Sequence, residues 1–127
     1  MINSPIAVLG SGSWGTALAI QFARAGKPTR LWGRDPAQLA DMKSARCNRR
    51  YLPDATFPAL LEVSTSLEAA LDGVSDVLVA VPSSAFRALL AELAVRLTHD
   101  VRVAWATKGF ERDTGLLPHQ VAHEVLG

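Results

Sequence analysis

Gly10-Ser11-Gly12-Ser13-Trp14-Gly15 sets three glycines at the spacing G-x-G-x-x-G. The chemistry of such a turn is that of bare backbone amides. Gly10 permits a tight turn, Gly12 lets the main chain approach a pyrophosphate, and Gly15 lets a following helix pack closely. Free N–H groups at the start of that helix then face the anion. The spacing alone is weak, because a tight strand-to-helix turn needs no ligand; its context gives it weight. Ile6 to Leu9 is a short apolar run that reads as a buried strand. Trp14 to Ala25 follows with helical spacing, Ala17, Leu18, Phe22 and Ala25 sharing one face and Gly26 standing just past the end. No Gly-Lys-Ser/Thr follows, which excludes a Walker A loop. Trp14 has two readings: a shield over a bound cofactor, or a cap on the core.

Trp32-Gly33-Arg34-Asp35 carries the next candidate chemistry. Where such a turn holds a dinucleotide, an acid after the second strand accepts from the ribose 2′-hydroxyl, or a nearby arginine accommodates a 2′-phosphate. Asp35 lies about twenty residues beyond Gly15, the distance expected of the acid. It also directly precedes Pro36, and an N-cap followed by proline explains it well. If the strand ends at Trp32, Gly33 fills the acidic slot and leaves room for a phosphate. Arg34 then pairs with that phosphate through charge-assisted hydrogen bonds. NADPH is favoured over NADH, with use of both left open and a solvated Arg34 as the alternative.

Val103-Ala104-Trp105-Ala106-Thr107-Lys108-Gly109 puts a lysine at the carboxyl end of a strand, where open α/β sheets bind ligands. The chain has ten arginines and only three lysines, so Lys108 is not merely its usual cation. A compact ammonium there can polarise a carbonyl or hold a phosphate; a solvated loop charge is the plain alternative. Val81-Pro82-Ser83-Ser84 ends another strand in the same crevice, with Ser83 expected as an N-cap. Asn48-Arg49-Arg50-Tyr51-Leu52-Pro53 is a basic, aromatic loop that either reaches the cofactor or is simply solvated. His99, His119 and His123 form no metal or catalytic set, and surface positions are expected for them.

These residues need elements to position them. Strands are expected at Ile6–Leu9, Thr29–Trp32, Leu61–Ser64, Val77–Val81 and Arg102–Ala106. Helices are expected at Trp14–Ala25, from Pro36 to about Ser44, at Ser66–Leu71, at Ser83–Leu97 and around Leu117, Val121 and Val125. The Ser83–Leu97 stripe comprises Phe86, Leu89, Leu90, Leu93, Ala94 and Leu97. Ala45 to Leu60 has no pattern, and Pro53 and Pro58 punctuate it; connections of that length are often functional. Strand and helix alternate throughout, which calls for an α/β fold: a Rossmann-like, doubly wound parallel sheet in a single domain over residues 1–127.

With 127 residues the chain can bury a real core but is short for a complete two-substrate enzyme. A net charge of +1 with mixed signs points to neither nucleic acid nor a membrane surface. No apolar run approaches the roughly 18 residues of a membrane span. Met1 to Pro5 does not begin a signal peptide. The single Cys47 fits a reducing compartment. A soluble cytoplasmic protein is expected.

Five segments in order then carry a resemblance: Gly-Ser-Gly-Ser-Trp-Gly-Thr-Ala-Leu-Ala from Gly10, Leu-Trp-Gly-Arg-Asp-Pro from Leu31, Asn-Arg-Arg-Tyr-Leu-Pro from Asn48, Val-Ala-Val-Pro-Ser from Val79 and Trp-Ala-Thr-Lys-Gly from Trp105. Together they resemble the bacterial NAD(P)-dependent glycerol-3-phosphate dehydrogenases, nearly end to end, with the last segment the most specific. The resemblance implies reduction of dihydroxyacetone phosphate to sn-glycerol 3-phosphate for glycerophospholipid biosynthesis, and a homodimer in the full-length enzyme. It implies cofactor contacts from Gly10, Gly12, Ser13, Trp14, Gly15, Arg34, Tyr51 and Pro82, with Lys108 touching both cofactor and substrate. Members also carry a second, helical domain with the proton-transferring lysine, which this chain lacks, so no catalytic residue is assigned here. The chain alone is expected to bind cofactor weakly and to turn over little. The sixth strand of a full dinucleotide fold is also missing, so an exposed sheet edge is expected. A stand-alone dinucleotide-sensing module and a ketopantoate-type reductase domain are the alternatives.

Overall fold

β1 (Ile6–Leu9), β2 (Thr29–Trp32), β3 (Leu61–Val63), β4 (Asp76–Val79) and β5 (Arg102–Trp105) form one sheet in the computed structural model, which describes residues 4–98 and 100–127. All pairs are parallel, in the order β3-β2-β1-β4-β5. The helices between them are α1 (Ser13–Arg24), α2 (Pro36–Ala45), α3 (Leu67–Leu71), α4 (Ser83–Ala94) and α5 (Pro118–Leu126). The chain winds outward from β1 to β3, then crosses back to β4 and winds the other way. That reversal makes the α/β fold doubly wound and puts a crevice between the carboxyl ends of β1 and β4.

β1 lies centrally and is buried along its whole length, which is why Ile6-Ala7-Val8-Leu9 is a continuous apolar run. β5 is an edge strand, and none of its residues is fully buried. Its inner side is closed by Phe86 of α4, whose ring meets Trp105 edge-on at 5.7 Å between centroids.

Four sequence expectations need correction. α1 does not bury Ala17, Leu18, Phe22 and Ala25; it buries Gly15, Thr16, Ala19, Ile20 and Ala23. Its close approach to the sheet selects the small residues, and Phe22 packs at the flank. α4 stops at Ala94, which is exposed, and Leu97 packs from beyond the helix end. Ser83 is not an N-cap but the first helical residue, because the extended backbone falls on Pro82. β4 ends at Val79, two residues earlier than expected.

The stretch between α2 and β3 is far from a loose loop. Arg46 ends α2 in the left-handed region at φ 59°, donates to the Pro58 carbonyl, and lies over the Phe57 ring. Phe57 is only 4% exposed and sits in the core. Among the described residues, no helix is long and apolar enough to cross a membrane.

Candidate functional site

A cleft of about 720 Å³ opens in the crevice between the ends of β1 and β4. The turn from Gly10 to Gly15 forms its floor, Trp32 to Asp35 one end, and Ala106 to Lys108 the other. Tyr51 and Pro82 complete the rim, so Gly10, Gly12, Ser13, Trp14, Gly15, Arg34, Tyr51, Pro82 and Lys108 all border one space, whereas Asn48, Arg49 and Arg50 do not. A second cavity, of about 760 Å³, lies at the opposite ends of β4 and β5 beside Asp72 and Arg96 and holds none of them.

The three glycines serve different ends. Gly10 has φ +131°, and a Cβ there would lie 2.2 Å from the Ala80 carbonyl oxygen. A Cβ on Gly15 would lie 1.9 Å from the carbonyl oxygen of Gly10. Both are therefore demanded by the fold. Gly12, at the N-cap of α1, is different: its φ of −75° suits any residue, and a Cβ would meet nothing within 4 Å. A side chain there would project into open space. The turn is held to both flanking strands, Gly10 N–H donating to Trp32 O at 2.7 Å and Ala80 N–H to Leu9 O at 2.8 Å.

At the β2 end, a Cβ on Gly33 would lie 1.9 Å from the Ser11 hydroxyl oxygen. Gly33 is thus glycine because Ser11 packs against it, and an acid cannot stand there without displacing the Ser11 side chain. Asp35 caps α2, accepting from the amides of Ala37 at 3.0 Å and Gln38 at 3.4 Å. Arg50 lies 3.8 Å from the same carboxylate. Arg34 lies over the Trp32 ring at 5.9 Å and pairs with Glu92 at 3.0 Å.

Trp14 is 61% exposed at the cleft mouth, which rules out the core-capping reading. Tyr51 is 46% exposed beside it. Lys108 is exposed at the far end, on a loop tied back by Thr107 Oγ1 donating to Val81 O at 2.7 Å. Arg87 of α4 braces the same loop through a two-pronged contact with Glu111, at 2.8 and 3.1 Å, and an ion pair with Glu124 of α5. The Arg87 guanidinium, with help from the Thr114 hydroxyl, holds the Glu111 carboxyl below the usual carboxylate range. His119 and His123 are exposed on α5, and His99 lies outside the described residues.

A model of the family described as NAD-dependent glycerol-3-phosphate dehydrogenase N-terminus matches residues 5–127. The chain belongs to that family. It is 55% identical over 128 aligned positions to glycerol-3-phosphate dehydrogenase, NAD(P)+, of Thioalkalivibrio sulfidiphilus, covering 100% of this chain and 38% of that protein. The Aeromonas hydrophila protein of the same name is 50% identical over 122 positions, covering 96% of this chain and 36% of the other. The crystal structure of glycerol-3-phosphate dehydrogenase from Coxiella burnetii superposes with a TM-score of 0.94 at 40% identity, over 100% of this chain and 39% of that one. The chain therefore spans somewhat over a third of the length of these glycerol-3-phosphate dehydrogenases.

Against this glycerol-3-phosphate dehydrogenase background, three features escaped the sequence. Asn48 is fully buried behind the glycine turn rather than solvated. Gln38 and Ser11 bond to one another beside it. The Arg87–Glu111 brace joins α4 to the loop after β5, across 24 residues of sequence. A lone polar residue, on a helix or in a loop, gives no sequence signal for a partner that only tertiary packing supplies.

Proposed function

We propose that this chain is the cofactor-holding half of a two-domain enzyme that reduces dihydroxyacetone phosphate to sn-glycerol 3-phosphate, feeding phospholipid synthesis in the cytoplasm. The observation that carries it is the open space at Gly12. The fold has a steric need for glycine at Gly10 and Gly15 but not at Gly12, and the space left free there suits a ligand's close approach. A pyrophosphate resting on the start of α1 fits that space.

The nicotinamide cofactor supplies the hydride; the residues of this chain hold and orient. The amides of the turn and of the first residues of α1 receive the pyrophosphate. Arg34, backed by Trp32, receives a 2′-phosphate, and NADPH is the preferred cofactor. Glu92 partly neutralises Arg34, which leaves NADH a usable second. Trp14 and Tyr51 cover the mouth and keep water from the bound cofactor. Lys108 places an ammonium where the substrate carbonyl or phosphate meets the cofactor.

The test joins this chain to the remaining portion of the Thioalkalivibrio sulfidiphilus relative and follows loss of NADPH absorbance with dihydroxyacetone phosphate. Turnover is expected from the joined protein, with Lys108→Ala lowering it by about a hundredfold, as for loss of one electrostatic stabiliser. A folded, NADPH-binding joined protein without turnover, or an unaffected Lys108→Ala, contradicts the assignment.

A further inference from the structure

Asn48 is 0% exposed although it belongs to the connection between α2 and β3. Its Nδ2 donates to the Ser11 carbonyl at 3.0 Å and to Thr16 Oγ1 at 2.9 Å. Its Oδ1 accepts from the Tyr51 amide at 3.3 Å and from Gln38 Nε2 at 3.5 Å. Both ends of the carboxamide are thus in use. Gln38 Nε2 donates to the same Ser11 carbonyl at 2.9 Å, and Gln38 Oε1 accepts from Ser11 Oγ at 2.7 Å.

Two side-chain amides therefore converge on one carbonyl. In a planar trans peptide the C=O of Ser11 and the N–H of Gly12 point in opposite directions, and no peptide bond among the described residues is cis. Holding the Ser11 oxygen inward on two donors aims the Gly12 N–H the other way, toward the cleft that Gly12 borders. The same two bonds polarise the peptide and make that N–H a stronger donor. An unheld glycine turn would sample several peptide orientations, at an entropic cost on binding.

We infer that Asn48 and Gln38 are positioning residues that fix the direction of the Gly12 amide toward the cofactor pyrophosphate. The inference rests on the cofactor reading above and goes beyond it: Asn48 lies behind the turn and does not border the cleft, and Gln38, which does border it, acts here through the Ser11 carbonyl. Asn48 also ties Tyr51 to the turn through the Tyr51 amide, so the same carboxamide sets the floor and one side of the mouth.

The test titrates the chain with NADH, with inorganic pyrophosphate and with adenosine 2′-monophosphate, which carries no pyrophosphate. The Gly12 amide resonance is followed by nitrogen-15 NMR. Gln38→Met keeps the length and removes one donor from a half-buried site; Asn48→Asp keeps the shape and removes the other. In Gln38→Met, NADH and pyrophosphate affinity should fall by about tenfold, the worth of one well-placed hydrogen bond to a charge. The Gly12 resonance should lose its ligand-induced shift, while adenosine 2′-monophosphate binds within about twofold of the parent. A folded Gln38→Met that binds NADH like the parent overturns the inference, as does equal loss of all three ligands. Should Asn48→Asp fail to fold, Gln38→Met decides alone. A folded parent chain that binds neither NADH nor pyrophosphate overturns the cofactor reading itself, and the inference with it.

Discussion

Arg34 and Glu92 stand Nη2 to Oε2 at 3.0 Å, although they lie 58 residues apart and one follows β2 while the other rides on α4. Both side chains are close to half exposed, so the pair itself adds little stability. Its consequence is for the ligand. A 2′-phosphate drawn to Arg34 meets a carboxylate already in place. Glu92→Gln is expected to raise NADPH affinity about three- to fivefold, the worth of one exposed ion pair, and to leave NADH unchanged. Parallel titrations with the two cofactors check this, and an equal change for both would remove Glu92 from cofactor choice.

The glycines of the turn separate stability from binding. Gly15→Ala would press a Cβ onto the Gly10 carbonyl, and Gly10→Ala would add backbone strain to a clash with Ala80. Each should lower unfolding free energy by about 2–3 kcal/mol. Gly12→Ala meets no atom and should cost no more than about 1 kcal/mol, that of replacing a glycine N-cap. Denaturant unfolding of the three variants measures the split.

The strands, the glycine turn and the residues around the cleft were legible because each rests on local chemistry. A buried parallel strand is an unbroken apolar run, and the turn after β1 demands residues without a Cβ. Failures arose where a distant partner decides. The buried face of α1 follows its close approach to the sheet, which selects Ala19 and Ala23 over Leu18 and Phe22. Gly33 looked like room for a phosphate, whereas its immediate cause is the Ser11 side chain. Phe57 and Asn48 sit in a stretch without periodicity, and only tertiary contact shows them to be buried.

Asp35 offers a clean discrimination between cap and cofactor ligand. Its carboxylate is engaged by two amides at the start of α2. Asp35→Ala is expected to cost about 1 kcal/mol of stability, as for loss of an N-cap, and to leave NADH affinity nearly intact. A large, selective loss of NADH binding would make it a ribose ligand instead.

The Arg87–Glu111 brace gives a pH dependence of defined sign. Glu111 titrates lower in the folded chain than its ordinary value, so its contribution is fully present above the unfolded pKa. It is lost as pH falls through the depressed folded value, on the acid side of the usual glutamate pKa of about 4.3. Thermal unfolding of Glu111→Gln should show a lower midpoint than the parent at neutral pH and a shallower decline toward acid. Parallel curves at all pH values would show that the brace contributes nothing.

Calorimetric titration of the chain with NADPH, alone and as Gly12→Val, tests the proposed cofactor role of the cleft most directly. The parent is expected to bind and the folded variant to lose binding by about a hundredfold, because the valine fills the space a pyrophosphate needs. Undiminished NADPH binding by Gly12→Val would contradict the assignment, and so would a folded parent that takes up none.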